Sequence, residues 1–285
     1  MIKKYLFGTA MVAVIGFTSC EKNESSPEET PQEAMTQIDL DQDLQVTKEV
    51  REKVKSLNFN SKHIEVVTQK NLEGKTESVF KIEGDILMSP QALAEMQPAD
   101  ITSKQYRTYN LVSSPRTVNV IGYTGGYGQG LTTKQRSALQ RAIQNYNDLS
   151  IGLNFTLTFG TNYQSYDIVV YQTQNGSAGG VAGFPSNGDP YQYIQIFDGM
   201  ENYSTATNEH VLTHEIGHTL GLRHTDWFSR QSCGQSGEAA DPYGAVHIPG
   251  TPTGYDSNSL MLACFSASES GNFGYYDEVA LEYLY

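Results

Sequence analysis

The chain has 285 residues, with 19 lysines and arginines against 32 aspartates and glutamates, and a formal net charge of −13. This length permits one sizeable domain with an additional segment, or two modest domains. The acidic balance argues against nucleic acid and anionic membrane surfaces as partners, because both would repel the chain. The 26 glycines and 18 tyrosines, with only 18% charged residues, are typical of a polar, loop-rich globular protein.

The first 19 residues have the layout of a secretory signal. MIKKYLFGTAMVAVIGFTSC carries two lysines, an apolar run too short for an ordinary membrane-spanning helix, and small residues ending at Cys20. It resembles a bacterial lipoprotein signal, in which Cys20 would be lipidated and Phe17 replaces the usual aliphatic residue. A plain signal cut near Ser19 is the alternative. Both predict export, either to the outer membrane or cell surface through a lipid anchor or as a secreted protein.

The two remaining cysteines, Cys233 and Cys264, are predicted to pair as a disulfide. In an oxidising compartment two such thiols can be bridged. The alternative is two separate buried thiols.

Three regions precede the main domain in the sequence. Residues 20–36 are acidic, contain proline and have almost no large apolar residues, so they are predicted to be a flexible tether. Residues 37–113 mix a helical spacing, in IDLDQDLQVTKEVREKVKSLNF, with two strand-like runs around Glu73-Gly74. This part is small and charged, which indicates an accessory segment rather than the place of chemistry.

Residues 114–285 are predicted to form the main domain, of the α+β class. A strand over 117–121 precedes a helix capped by Thr132 or Thr133, and a second helix begins near Ser204 or Thr205 and ends near Leu220. Further strands are expected in NFTLTF, YDIVVYQ and YQYIQIF, with a short edge strand in the Gly-rich GSAGGVAGFP. The C-terminal GYYDEVALEYLY has helical periodicity.

Residues 214–224 read HEIGHTLGLRH and predict a metal site. His214 and His218 are four residues apart, so on a helix both imidazoles project from one face and can reach one zinc ion. Glu215 follows His214 at the position of a general base. By chance, the full spacing of three histidines, glutamate and glycine arises in roughly one such chain in 10⁵.

The third ligand is expected to be His224. His210 lies one turn before His214, but it is eight residues from His218, about 12 Å along a helix, so both cannot reach one ion. Gly221 can take the positive φ that ends the helix and turns the chain back. His210 is therefore interpreted as an ordinary helix-surface residue.

HEIGHTLGLRH resembles the zinc signature of the metzincin metallopeptidases, in particular the astacin-like branch and its bacterial HEIGH-type relatives. The resemblance implies a mixed twisted sheet with two helices above it, and a loop-rich lower part with a methionine-bearing turn and a C-terminal helix. Met261 in NSLMLACF would occupy that turn. A monomeric enzyme is implied, with protein or peptide substrates and one catalytic Zn²⁺ held by His214, His218 and His224.

The implied activity is peptide-bond hydrolysis by a metal-activated water, with Glu215 as the general base. In astacins a tyrosine stands two residues after the methionine, whereas this chain has Ala263. Tyr255, Tyr275 or water could take its role. Asp226 is interpreted as a carboxylate that orients a ligand histidine, or else as a solvated surface residue.

A second resemblance predicts latency. FKIEGDILMSPQAL is similar to the prosegment motif of astacin zymogens, in which a Gly-Asp aspartate binds the catalytic zinc. That role would fall on Asp85, preceded by Gly84, although a turn aspartate is the ordinary explanation of such a pair. Cleavage would then fall between about Gln97 and Arg116.

Two other functions fit the sequence. A non-enzymatic surface lipoprotein could retain the fold for protein binding, but the presence of Glu215 favours an enzyme. A zinc amidase acting on cell-wall peptides would use the same motif. A Ca²⁺ site in the acidic loop DGMEN is possible, with nothing in its spacing to support it.

Overall fold

The computed structural model describes residues 44–57, 59–97, 107–235 and 248–285. The predicted signal, tether and Cys20 lie outside these ranges, as do residues 98–106 of the predicted cleavage region. Within the described ranges, no helix combines the length and apolar character needed to cross a membrane. The fold is α+β, with five α-helices and two sheets in the described part of the chain.

Residues 44–97, called here the upstream segment, form a small layer of their own. Thr47 caps the first helix by accepting from the backbone N–H of Val50, and Ser89 caps the second by accepting from Ala92. Three antiparallel strands lie between the helices in sequence and pair in chain order, the first with the second and the second with the third. The elements are α1 (Lys48–Ser56), β1 (Ile64–Lys70), β2 (Thr76–Ile82), β3 (Ile86–Met88) and α2 (Pro90–Glu95).

The main domain is built on a mixed five-stranded sheet. Its strands are β4 (Arg116–Tyr123), β5 (Leu153–Gly160), β6 (Ile168–Thr173), β7 (Gly180–Val181) and β8 (Tyr193–Phe197). They lie in the order β5-β4-β6-β8-β7, with every pair parallel except the edge pair β7-β8. The predicted strands are confirmed, although the edge strand is only two residues long.

Two long helices pack together in the core of the main domain. They are α3 (Thr133–Asn147), which starts in a capping box between Thr132 and Gln135, and α4 (Thr205–Leu220). The Tyr146 hydroxyl donates to the carbonyl of Thr213 at 2.8 Å and so joins the two helices inside the core. After α4, the described residues 221–235 and 248–274 are largely irregular, and α5 (Tyr275–Leu284) follows them.

The upstream segment meets the main sheet at its edge. Leu87 N donates to the carbonyl of Ala182 at 2.6 Å, and Ala182 N donates to the carbonyl of Asp85 at 3.0 Å. These bonds place the start of β3 beside the residue that follows β7, running parallel to it. The upstream segment therefore occupies the free edge of the main sheet.

Residues 107–113 are bonded to the main domain. Thr108 N donates to the carbonyl of Gly221 at 2.8 Å, and Ser113 N donates to that of Gly188 at 2.8 Å. Val112 is buried in the main core. The domain boundary between residues 113 and 114 stays a prediction, but these seven residues pack with the part that follows it.

The predicted disulfide between Cys233 and Cys264 is confirmed. It links the segment after the histidine motif to the segment after Met261. The two Cα atoms lie 5.2 Å apart, within the usual range for a disulfide.

Candidate metal centre

Helix α4 carries the motif through the interior of the domain. Ser204 caps its start by accepting from Thr207 N at 3.1 Å, and every residue from Thr207 to Leu220 is buried. The helix ends at Gly221 with φ +107°, where a Cβ would lie 2.8 Å from the carbonyl oxygen of Asn110. Only glycine fits this turn, and it brings the chain back toward the helix face.

Four side chains converge at the end of this turn. One ligand atom from each of them can be chosen so that all four lie within 4.8 Å of one another; the residues are Asp85, His214, His218 and His224. Oδ2 of Asp85 lies 2.9 Å from Nε2 of His224 and 3.5 Å from Nε2 of His214. Its Oδ1 lies 4.0 Å from Nε2 of His218. The structure thus brings the three predicted histidines and Asp85 together.

The donor set fits a zinc ion. Nε2 of His214, Nε2 of His218 and Oδ1 of Asp85 are buried without a hydrogen-bond partner, although buried polar atoms are normally satisfied. Nδ1 of His214 donates to the carbonyl of Leu260 at 3.0 Å, and Nδ1 of His218 to that of Leu222 at 2.7 Å. These bonds leave the Nε2 lone pairs aimed inward, as nitrogen ligands of a tetrahedral zinc site require.

Glu83 is a site residue that the sequence analysis missed. Its Oε2 accepts from Nδ1 of His224 at 3.0 Å, so a carboxylate of the upstream segment lies behind the third histidine. The two residues are 141 positions apart, and no local pattern indicates the contact. The one available signal is that Glu83 stands two residues before Asp85 in the IEGD run.

Glu215 is buried beside the cluster. Its Oε2 has no hydrogen-bond partner, and its side chain packs against Gly180 of β7, where a Cβ would lie 2.9 Å from Glu215 Cγ. Burial, and after it the charge of Asp85, raises the pKa of Glu215 well above 4.5. The carboxyl group thus lies between the edge strand and the histidines.

The charges of Asp85 and His224 stabilise each other. Burial opposes ionisation of Asp85, but His224, His214 and His218 together hold its pKa well below 3.8. Burial likewise opposes the charged form of His224, yet Asp85 and Glu83 raise its pKa to about 9. Carboxylates therefore flank the third histidine on both sides.

Met261 lies directly beneath the helix. A Cβ on Gly217 would be 2.6 Å from the Met261 sulfur, so this glycine allows the methionine to approach the backbone of α4. Met261 is buried, and its carbonyl accepts from Thr225 N at 2.8 Å. The predicted position of Met261 below the motif agrees with this packing, while its role as a Met-turn stays a prediction.

Asp277 of α5 holds the Met261 loop. Its Oδ1 accepts from Ser259 Oγ at 2.7 Å, and its Oδ2 accepts from Leu260 N at 2.7 Å and Gly274 N at 2.9 Å. Because the carbonyl of Leu260 orients His214, this carboxylate supports the first histidine through one residue. No local pattern around Asp277 indicates this role.

The interpretation of His210 as a surface residue is wrong. His210 is buried, its Nδ1 donates to the carbonyl of Ser270 at 3.0 Å, and burial lowers its pKa to about 4. Helical spacing predicts that His210 lies away from the metal-binding face of α4. It does not show that loops after α4, including Ser270, cover that side of the helix. His210 lines a cleft of about 220 Å³ together with Asp85, Glu215 and Ala263.

Both interpretations of Asp226 are also wrong. This residue is fully buried, and its carboxylate accepts from Ala263 N at 2.9 Å and from Ser232 N and Oγ at 2.9 and 2.6 Å. It therefore fastens the two disulfide-linked loops to each other instead of orienting a histidine. Among the described residues that line the cleft there is no tyrosine, and Tyr275 is 71% exposed on α5.

Comparison with known proteins gives one family. A family model described as "Dual-action HEIGH metallo-peptidase" matches residues 80–285. No curated protein matches the chain. Two solved structures of myroilysin align with 14% and 15% sequence identity over 62% and 63% of this chain. They are covered over 82% and 90% of their own length, with TM-scores of 0.40 and 0.38.

Proposed function

Since the chain belongs to the HEIGH metallopeptidases, we propose that it is a zinc-dependent endopeptidase made as a latent precursor. The observation that carries this proposal is the convergence of three imidazoles and a carboxylate beside the buried Glu215. The metal would be held by His214, His218 and His224. When bound, zinc would supply Lewis acidity to a water molecule and to the substrate carbonyl.

Glu215 is the group proposed to move the proton. It follows the first histidine on α4, and its buried Oε2, which has no hydrogen-bond partner, belongs to a side chain that lines the cleft. In this position the carboxylate would take a proton from the attacking water and hand it to the departing amine. Its burial against Gly180 keeps it next to the strand that would hold the peptide.

The substrate backbone is proposed to bind along β7 by strand addition. In the structure the backbone of Asp85 and Leu87 already makes such bonds with Ala182. An extended peptide would replace them and bring one of its carbonyls toward the histidines. The upstream segment therefore marks the path that a substrate would follow.

Latency is proposed because one short stretch of the upstream segment covers both the histidine cluster and the edge strand β7. Asp85 lies where a bound ion would otherwise face the substrate. Leu87 N donates to the carbonyl of Ala182, the residue that follows β7, along which the substrate would bind. Removal of the upstream segment would free both. The bonds made by residues 107–113 support a cut on the N-terminal side of Arg107, since those residues pack with the main domain.

Export is part of the proposal. The disulfide is in keeping with an oxidising compartment, as the predicted signal requires. We propose that the protein reaches the outer membrane or cell surface as a lipoprotein anchored at Cys20, or is released after removal of the upstream segment.

The decisive experiment compares wild type with Glu215→Gln after proteolytic removal of the upstream segment. Both should retain about one zinc per chain, while casein hydrolysis should fall at least 100-fold in the variant, because the proton acceptor is gone. Glu209→Gln, six residues earlier on the same helix, is the matched control and should remain active. Equal hydrolysis by wild type and Glu215→Gln contradicts the mechanism. A wild type that cleaves only cell-wall peptides would favour the amidase, and one that cleaves nothing would favour the binding protein.

A further inference from the structure

Glu83 occupies a costly position at the back of the histidine cluster. Its side chain is 0% exposed, and its backbone has φ +58°. The left-handed conformation is unfavourable for a residue with a side chain, and an isolated buried charge is more unfavourable still. Specific partners must therefore hold this residue in place.

These partners come from both parts of the chain. Oε1 of Glu83 accepts from Asn60 N at 2.9 Å and lies 3.4 Å from Nη2 of Arg223. The Glu83 carbonyl accepts from Nη1 of Arg230 at 3.0 Å. Together with the bond from His224, these contacts fix the carboxylate and neutralise its charge.

The three histidines differ in what orients them. His214 and His218 donate through Nδ1 to carbonyls of Leu260 and Leu222, which belong to the main domain. His224 instead donates to Glu83, which belongs to the upstream segment. Only the third histidine therefore depends on a group that activation would take away.

The nearest carboxylate in sequence is not available as a replacement. Asp226 stands two residues after His224, but both of its oxygens are already bonded, to Ala263 N and to Ser232. Turning toward His224 would break these bonds to the loops that carry Ala263 and Ser232. Removal of Glu83 would thus leave Nδ1 of His224 without a carboxylate from this side.

We propose that Glu83 is a positioning residue for the third ligand, so that the upstream segment strengthens metal binding from behind as well as covering it with Asp85. This inference rests on the proposed role of His224 as a ligand. A carboxylate on the far nitrogen of a ligand histidine fixes the orientation of the ring and raises its basicity, and its loss typically lowers metal affinity 10- to 100-fold. Removing the upstream segment should therefore lower zinc affinity for two reasons: loss of Asp85 and loss of Glu83. The total decrease should exceed the decrease that loss of Asp85 alone would cause.

The test measures zinc affinity of the full chain by competition with a chromogenic chelator. Glu83→Gln should lower the affinity at least 10-fold in the wild type and also in an Asp85→Asn background, where the front carboxylate no longer contributes. Glu65→Gln is the matched control, since Glu65 lies on β1 of the same segment and pairs only at the surface with Lys81. It should leave the affinity unchanged.

A second variant and a spectrum separate positioning from folding. Glu83→Asp retains the charge near Arg223 but draws the carboxylate back from His224, so it should weaken zinc binding as Glu83→Gln does. The visible bands of the cobalt-loaded chain should shift in both variants and not in Glu65→Gln. If both Glu83 variants unfold, the inference is tested by proteolytic removal of the upstream segment from the Asp85→Asn chain. This removal takes away Glu83 and should lower zinc affinity at least 10-fold.

Unchanged zinc affinity in folded Glu83 variants, or in the cut Asp85→Asn chain, overturns the inference while leaving the proposed function intact. A wild-type chain that binds no zinc would instead contradict the proposed function.

Discussion

Oδ2 of Asp85 lies 2.9 Å from Nε2 of His224, so a carboxylate from the upstream segment faces the side of the imidazole where a metal ion would bind. The same oxygen is 3.5 Å from His214. An aspartate placed in this way would hold the fourth position of a zinc site that needs an open position for catalysis.

Asp85→Ala should therefore make the uncut precursor active. With the carboxylate gone, water and a small fluorogenic peptide can reach the cluster, although Leu87 still bonds the edge strand. We expect measurable hydrolysis that remains below the rate of the cut enzyme. Lys81→Ala, a change at a half-buried residue of the same segment that makes no contact with the cluster in its ion pair with Glu65, should leave the precursor silent. Zinc-loaded Asp85→Ala without any activity would argue against latency through this residue.

Gly217→Ala should destabilise the protein although alanine favours helices by about 1 kcal/mol. The new Cβ would lie 2.6 Å from the Met261 sulfur and 3.3 Å from the Tyr146 hydroxyl, and such overpacking typically costs about 1–3 kcal/mol. Adding Met261→Ala should relieve the clash, so the free energies of unfolding should be non-additive in a double-mutant cycle measured by urea titration. Strict additivity would show that the methionine does not limit this position.

The raised pKa of the Asp277 carboxyl predicts how the stability of the protein depends on pH. Burial raises its pKa to about 6 from 3.8, so the folded chain binds this proton more tightly than the unfolded chain. Its contribution to stability is therefore greatest below about pH 4 and is lost as the pH rises through about 6. Relative to Asp277→Asn, wild type should lose roughly 3 kcal/mol between pH 4 and 7.

The measurement is the difference in the free energy of urea unfolding between wild type and Asp277→Asn at several pH values. The two proteins share their other titrating groups, so the difference isolates this carboxyl. A difference that does not change with pH would contradict the expectation.

Loss of the disulfide should destabilise the lower part. Cys233 and Cys264 are 31 residues apart, and closing a loop of this length is worth roughly 3–4 kcal/mol in the chain-entropy model. We expect Cys233→Ser with Cys264→Ser to lower the unfolding midpoint, and a reductant to lower that of wild type by a similar amount while leaving the variant unaffected. A reductant-sensitive variant would indicate another cause.

Local patterns in the sequence were sufficient for much of the fold and of the cluster. The caps at Thr132 and Ser204 and the alternating apolar strands are encoded within a few residues of each element, and the histidine spacing is encoded by a single helix turn. Gly221 likewise predicts the turn that leads to His224, because a glycine at a helix end is a local feature of the sequence. The resemblance to a zymogen motif was needed to single out Asp85.

The remaining parts depend on contacts between distant residues. Glu83, Asp226 and Asp277 are ordinary acidic residues in sequence. Their roles exist only because folding buries them against specific partners, which for Glu83 include a histidine 141 positions away. His210 was misjudged because helical spacing shows which residues share a face and not which loops cover it. Sequence periodicity therefore could not predict which charged residues of the site are buried.

The backbone just before Asp85 has a consequence for autolysis. Glu83 and Gly84 have φ values of +58° and +105°, so the chain is turned there and cannot pass the cluster as a continuous extended strand. It presents a side-chain carboxylate to Glu215, whereas a cleavable peptide would present a backbone carbonyl. We expect the precursor to be a poor substrate for its own centre. Since Asp85 covers the cluster of every uncut copy in the same way, maturation of a purified preparation should depend on a trace of already cut enzyme or on an added protease.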